Sequence, residues 1–229
     1  MSHPLDNPVW NALLSGNKHL ATASASVGFF DREVSPFAGL IENSSNHLQE
    51  LHSIYPFDSP LFLWSAQLLP LSKEWKVLHC IPGLQMVYEE ATVKEFESGR
   101  IVKLTKTNIP GMLELTKLTK PGPFGTRTIE FGNYEGIFED GHLVAMTGRR
   151  FHCFSHIEIS AVCTHPGYLG KGYAKQLLLS QLTQILASSY KPYLHVKADN
   201  ERAIRVYESL GFRTRMPVFF YVLEKSLHG

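Results

Sequence analysis

The sequence predicts an α/β (α+β) protein built on a mixed, mostly antiparallel sheet flanked by helices. Three observations predict it. In the second half, short apolar runs alternate with two amphipathic stretches of helical period. Tight glycine-bearing turns such as Glu139-Asp140-Gly141-His142 join neighbouring runs as hairpins. An apolar content of 44% over 229 residues fills a core without metal or disulfide staples. Charged residues at 19% and aromatics at 11% exclude a disordered or low-complexity chain. Cys80, Cys153 and Cys163 are too few for a disulfide framework and lack the paired spacing of a zinc site, so no metal and a reducing compartment are expected. No apolar run approaches the roughly 20 residues of a membrane span and none resembles a signal peptide, so the expected location is cytoplasmic, without a membrane partner.

The first hundred residues read as a helical start followed by short strands. Apolar clusters stand at Leu61-Phe62-Leu63-Trp64, Val77-Leu78 and Leu84-Gln85-Met86-Val87, separated by proline-containing turns. Trp10 and Trp64 read as core or docking aromatics, and His47 and His52 have no catalytic spacing. An acidic stretch from Glu89 to Glu97 ends at Ser98-Gly99. It suggests a boundary near residue 100, with an accessory α/β region at 1–100 and a second domain at 101–229.

Beyond it, Ile101 to Leu104 predicts a strand and Asn108-Ile109-Pro110 opens a helix over about 110–118. Lys120 to Gly125 is a Pro-Gly loop, and strands are predicted at Thr128–Phe131, Gly136–Phe138, Leu143–Thr147 and Ile157–Thr164. Ala174, Leu177, Leu178, Leu182, Ile185 and Leu186 then share one face of a helix reaching about Ser188. Tyr193–Lys197 returns as a strand, Asn200 starts a second helix that Gly211 ends, and Val218–Leu223 is the last strand.

The net charge of +1 argues against a nucleic-acid binder with a broad basic face, but it conceals a division. Residues 1–105 carry 7 Lys/Arg against 11 Asp/Glu, net −4, and residues 106–229 carry 15 against 10, net +5. No acid occurs from 159 through 198, where Lys171, Lys175, Lys191 and Lys197 lie. In that stretch His165-Pro166-Gly167-Tyr168-Leu169-Gly170-Lys171-Gly172-Tyr173-Ala174 joins a strand to a helix, with glycines at the helix entrance. Free amides of a first helical turn, the helix dipole and side-chain-free glycine suit a phosphate there. A Walker loop fails because Gly172 follows Lys171 where Ser or Thr belongs. A dinucleotide fingerprint fails because the glycine order is reversed and no acid follows about 20 residues on. A diphosphate with an additional phosphate fits the basic surroundings.

The segment Leu169-Gly170-Lys171-Gly172-Tyr173-Ala174 resembles the Arg/Gln-x-x-Gly-x-Gly/Ala signature of the GNAT superfamily of N-acyltransferases, with Leu169 in place of the first Arg or Gln. A second block, Asn200-x-x-Ala203-x-x-x-Tyr207-x-x-x-Gly211-Phe212, is similar to the helix and turn that flank the pantetheine arm. The resemblance covers about 101–229 and looks most like the glycine N-acyltransferase-related branch; the first hundred residues would be an accessory or degenerate half. It implies acetyl-CoA as acyl donor and a small-molecule or peptide amine as acceptor, and leaves homodimerisation open.

It further implies roles for single residues. Val162, Cys163 and Thr164 would offer unpaired backbone to pantetheine, with the Val162 amide polarising the thioester. Leu169, Gly170, Lys171, Gly172, Tyr173, Ala174 and Lys175 would hold the pyrophosphate, and Asn200 would contact the cofactor while capping its own helix. Glu158, 11 residues ahead of Leu169, stands where the family places a general base; its own environment, an acid in an apolar strand, predicts a pKa raised toward neutrality. Tyr207 is the implied proton donor to the departing thiolate, and contacts the cofactor. Cys163 as an acyl-accepting nucleophile, with His165 or His195 as base, is the weaker reading, since small buried thiols are commonly inert. The acceptor side is expected at Thr116–Gly125, with Arg127 reaching a substrate carboxylate. The rival from another class is a non-catalytic acyl-CoA-binding module, which needs neither Glu158 nor Tyr207.

Overall fold

The computed structural model describes residues 3–71, 73–96 and 99–226. The boundary residues Glu97 and Ser98 lie outside the described residues. In chain order the strands are β1 (Ala21–Ala23), β2 (Val27–Phe30), β3 (Phe37–Leu40), β4 (Leu61–Ser65), β5 (Trp75–Tyr88), β6 (Val102–Lys103), β7 (Glu135–Glu139), β8 (His142–Cys153), β9 (His156–Thr164), β10 (Lys191–Lys197) and β11 (Phe212–Lys225). The helices are α1 (Pro8–Leu14), α2 (Ser45–Ile54), α3 (Ile109–Thr119), α4 (Tyr173–Ala187) and α5 (Glu201–Leu210). All eleven strands join one sheet in the order β1-β2-β3-β4-β11-β5-β10-β9-β8-β7-β6. Among the described residues only the β3–β4 and β9–β10 pairs are parallel.

The clusters read separately at Val77 and Leu84 are one strand. Pro82 is tolerated inside β5 because its missing amide falls at the very end of the β10 side: past the Lys197/Gly83 pair only the Ala198 amide bonds, to the Pro82 carbonyl. β5 runs between β10 and β11, so a strand from the first hundred residues holds the centre of the sheet. On one face α1 and α3 bury Val9, Leu13, Met112 and Leu115 against Phe30, Phe37 and Phe151. On the other, α4 and α5 bury Leu178, Leu182, Tyr207 and Leu210 against Ile157, Ile159, Leu194 and Val196. α1 lies directly on β3: a Cβ at Gly39 would stand 2.8 Å from the Trp10 backbone nitrogen.

The Thr128–Phe131 segment is a 3-10 turn, not a strand. Buried Thr128 and Phe131 are three apart, the 3-10 period, and the Thr128 hydroxyl is fixed between the Val34 carbonyl and the Gly125 amide. Elsewhere the punctuation behaves as chemistry demands. Asp140 and Gly141, at φ 49° and 78°, turn β7 into β8. Asn200 accepts the Ala203 amide to start α5, and Gly211 at φ 109° ends it.

Candidate active site

The site is made where two parallel strands part. β9 and β10 pair at Lys191/His156, Pro192/Ile157 and Tyr193/Glu158, and then no further. Beyond that rung β10 stays bonded to β5 through Lys197, and β9 to β8 through Thr164. The facing edges of 159–164 and 194–197 therefore carry unpaired backbone groups across an open wedge. The register of β9 against β8 slips at the same place, where Ala161 takes a left-handed φ of 53°. A bulge there re-aims the following backbone toward the wedge. Val162 and Thr164 are half-buried along it, and Cys163 is buried.

The wedge leads to the glycine turn. Gly170 and Gly172 adopt φ 83° and 80°, and Gly172 caps α4 without any side-chain acceptor. The amides of Tyr173, Ala174 and Lys175 are left available for an anion. Leu169, Gly170, Lys171, Gly172 and Lys175 are exposed and Ala174 is half-buried. Lys171 rests its ammonium 4.6 Å from the Tyr168 ring centroid. The Tyr173 side chain turns inward instead and its hydroxyl donates to Glu139, which leaves only its amide for the turn.

Glu158 heads the wedge, 1% exposed. Its Oε1 accepts Arg150 Nη2 at 2.6 Å and His195 Nδ1 at 2.7 Å, and its Oε2 accepts Arg150 Nε at 2.8 Å and the Phe151 amide at 3.4 Å. Four donors occupy the four lone-pair positions of the carboxylate. Burial pushes its pKa up, but the Arg150 charge, the Arg150 bonds and the His195 bond outweigh it and hold the group down at about 2. The expected rise toward neutrality is corrected: the acid is alone in its strand, but not in space.

The state of His195 follows from its neighbours. The Gln85 Oε1 accepts from Arg215 and its Nε2 donates to the Leu5 carbonyl, which fixes the amide orientation. The same Nε2 and the Trp64 indole N–H both point at His195 Nε2, at 3.2 and 3.0 Å. His195 is therefore a neutral imidazole carrying its proton on Nδ1 and donating it to Glu158. Its pKa lies below the usual value because it is buried.

Tyr207 projects from α5 into this region, its ring against Phe212 at 5.9 Å and its hydroxyl without a hydrogen-bond partner among the described residues. Burial, with a smaller contribution from Cys163, pushes its pKa up to about 12. The Cys163 thiol is raised to about 11, mainly by burial, and neither histidine can activate it. His165 Nδ1 accepts the Gly167 amide and His195 is committed to Glu158. Arg127 is partly exposed, and its guanidinium is already ion-paired to Glu130 and Asp31. Among the described residues no group of three or more His, Cys, Asp or Glu is arranged to hold a metal.

A crystal structure of a Novosphingobium aromaticivorans protein assigned to the GNAT acetyltransferases is 35% identical, with a TM-score of 0.91 over 98% of this chain and 100% of that one. The chain belongs to the GNAT family. An FR47-like family model matches residues 134–220, which contain the wedge, the glycine turn and α5. A GCN5-related N-acetyltransferase from Kribbella flavida is 14% identical with a TM-score of 0.63, covering 95% of this chain and 94% of its own. A GNAT acetyltransferase from Colwellia psychrerythraea, 15% identical over 87% of this chain and 80% of its own, has a TM-score of 0.53; both likenesses are of fold. No curated protein sequence matches the chain.

In this GNAT chain the residues that sequence reasoning missed are Arg150, Trp64 and Gln85. Arg150 was within reach: counting back from the Phe154-Ser155 turn sets it almost opposite Glu158 on the hairpin. Trp64 and Gln85 carry no such signal, since they meet His195 across 131 and 110 residues.

One titration near the site sets a stability prediction. His156, 6% exposed, lies edge-on to His3 at 5.1 Å. Burial, then the charges of His3, Lys191 and Arg215, lower its pKa to about 4. Between about 6.5 and 4 the unfolded chain binds the proton and the folded one does not, so stability falls as pH falls through that window, by up to about 3 kcal/mol. Melting temperatures measured from pH 7 to 4.5 should decline more steeply in the native protein than in His156→Phe; parallel curves would refute the assignment.

Proposed function

We propose that this chain is an acyl-CoA-dependent N-acyltransferase that moves an acetyl group from acetyl-CoA to a primary amine by direct attack in a ternary complex. The observation that carries the reading is the wedge between β9 and β10, opened at Glu158/Tyr193 and bulged at Ala161. Pantetheine adds there as a strand would, bonding to the backbone of Val162, Cys163 and Thr164, while the Val162 amide polarises the thioester carbonyl. The pyrophosphate takes the amides of the glycine turn, and Lys171 and Lys175 supply charge. Leu169 removes one side chain from this set and leaves the backbone donors in place. The EISAVCTHP and AIRVYESLGF segments support placing the chain near the glycine N-acyltransferase-related branch. Three free cysteines agree with a cytoplasmic setting.

The chemistry needs a neutral amine, a polarised carbonyl and a stabilised leaving sulfur. The amine nitrogen bonds to the thioester carbon, the C–S bond breaks, and the amine proton leaves to water. Glu158 has no lone pair free to take it, so in this reading it is a positioning residue that keeps Arg150 and His195 in place at the head of the wedge. Tyr207, with an unspent hydroxyl, donates its hydrogen bond to the departing thiolate. Incubation with acetyl-CoA and a panel of primary amines should release free thiol and give singly acetylated products. Micromolar binding of acetyl-CoA by calorimetry with no amine consumed would replace this reading by that of a non-catalytic acyl-CoA-binding module.

A further inference from the structure

Tyr88 and Tyr193, both buried, donate their hydroxyls to the Thr92 and Phe151 carbonyls, and buried Tyr221 accepts the Leu69 amide, as a covered phenol ordinarily requires. Tyr134 makes no such bond. The residue is 2% exposed, yet its hydroxyl bonds to no described residue and is not among the side-chain oxygens and nitrogens closed off from solvent without a partner. The oxygen therefore meets open space. The ring that carries it is held on both sides. It lies against Gly148 of β8, where a Cβ would stand 2.4 Å from two of the ring carbons. Phe124, in the Pro-Gly loop after α3, meets it edge-on at 5.8 Å. Gly148 pairs with Ser160, one residue before the Ala161 bulge that opens the wedge. Arg150, Glu158 and Cys163 lie within electrostatic reach of the phenol. Tyr134 thus stands between the loop and the wedge.

Tyr134 and Tyr207 come to the wedge from opposite faces of the sheet. Tyr134 packs with Cys163, Met112 and Leu115 on the α1 and α3 face, and Tyr207 with Leu178 and Leu210 on the α4 and α5 face. Cys163 is within electrostatic reach of both phenols. With Tyr207 at the departing sulfur, the opposite face is left for the nucleophile. We propose that Tyr134 is a catalytic residue whose hydroxyl oxygen accepts a hydrogen bond from the attacking amine; the assignment rests on the transferase reading above. An attacking amine points its lone pair at the thioester carbon, so the protein can hold it only by its N–H groups and must offer an acceptor. Arg150 only donates, the Glu158 carboxylate has no lone pair to spare, and the Cys163 thiol is a weak acceptor. The Tyr134 oxygen has its lone pairs unspent. Burial raises its pKa above that of a free phenol, so the hydroxyl stays neutral. It takes no proton. As the C–N bond forms the nitrogen gains positive charge, its N–H bond to the Tyr134 oxygen strengthens, and the proton then leaves to water.

Steady-state kinetics of the full chain and of Tyr134→Phe, with acetyl-CoA as donor and butylamine, benzylamine and glycinamide as acceptors, test this. Tyr134→Phe should lower kcat/KM for the amine by about tenfold or more and leave KM for acetyl-CoA within about twofold. The melting temperature should not change, because the oxygen removed bonds to no described residue. The loss should also be the same for thioesters of more and less acidic thiols, since this hydroxyl meets the amine and not the sulfur. Amine kinetics within about twofold of the native values overturn the assignment and leave the transferase reading standing. A loss accompanied by a lower melting temperature, or one that grows as the leaving thiol becomes less acidic, also overturns it, because the hydroxyl would then serve packing or the leaving group. If the native protein binds acetyl-CoA by calorimetry but acetylates none of the amines, the transferase reading falls and the assignment falls with it.

Discussion

Glu158→Gln should destabilise the protein by about 3–5 kcal/mol, a drop in melting temperature on the order of 10 °C for a chain of this size. The cost comes less from lost attraction than from what is left behind. Arg150, 13% exposed and stacked 4.9 and 4.5 Å from the Phe37 and Phe151 rings, would keep its charge in an apolar setting with no anion beside it. His195 would face an amide that need not accept its Nδ1 proton. Because the folded pKa of Glu158 lies below its unfolded value, the pair's contribution is complete above about pH 4.5 and is lost only as pH falls toward about 2. The loss should therefore be undiminished at pH 7 and pH 5, measured by urea unfolding. Arg150→Met combined with Glu158→Leu should lie closer to the native stability than Glu158→Gln alone, since a neutral apolar pair leaves no buried charge. A Glu158→Gln protein as stable as the native one would contradict the network. A group ionised from pH 5 to 9 also produces no limb in a pH–rate profile over that range. Any acid limb seen there should persist in Glu158→Gln.

The elements around the glycine turn were legible because local chemistry specifies them. A helical apolar period over 174–186, glycines that reach positive φ, and an Asn cap with a Gly stop each act within a few residues. Thr128–Phe131 was misread because four residues cannot separate a strand from a 3-10 turn; what decides is the bond from Thr128 to Val34, 94 residues away. The same limit applies to the site. Burial of Glu158 was legible from its apolar neighbours, but the sign of its pKa depends on Arg150 and on a histidine oriented by Trp64 and Gln85. The charge division was legible and in part local. Lys171 and Lys175 stand at the turn, but Lys191 pairs with His156 at the far end of β9, and two acids of the first hundred residues, Asp6 and Glu42, line a cavity that no spacing announces.

Tyr207→Phe should lower kcat for acetyl transfer by about a hundredfold while KM for acetyl-CoA stays within about twofold. The ring sits against Phe212 in the core beneath α5, and Phe fills that space equally well. The hydroxyl has no partner among the described residues to lose, so the melting temperature should be unchanged, which separates a chemical role from a packing one. The size of the effect follows from what a phenol can do here. With its pKa pushed to about 12, Tyr207 holds its proton more firmly than an alkyl thiol of about 8.5 does. Full transfer to the thiolate is therefore uphill, and the hydroxyl acts as a fixed hydrogen-bond donor that meets charge only as the C–S bond breaks. An interaction absent from the ground state affects kcat and not binding. It also predicts that the basic side of the pH–rate profile shows no Tyr207 titration below about pH 10, and that thioesters with a more acidic leaving thiol lose less on Tyr207→Phe. Equal losses for good and poor leaving groups would mean that the hydroxyl does not meet the sulfur.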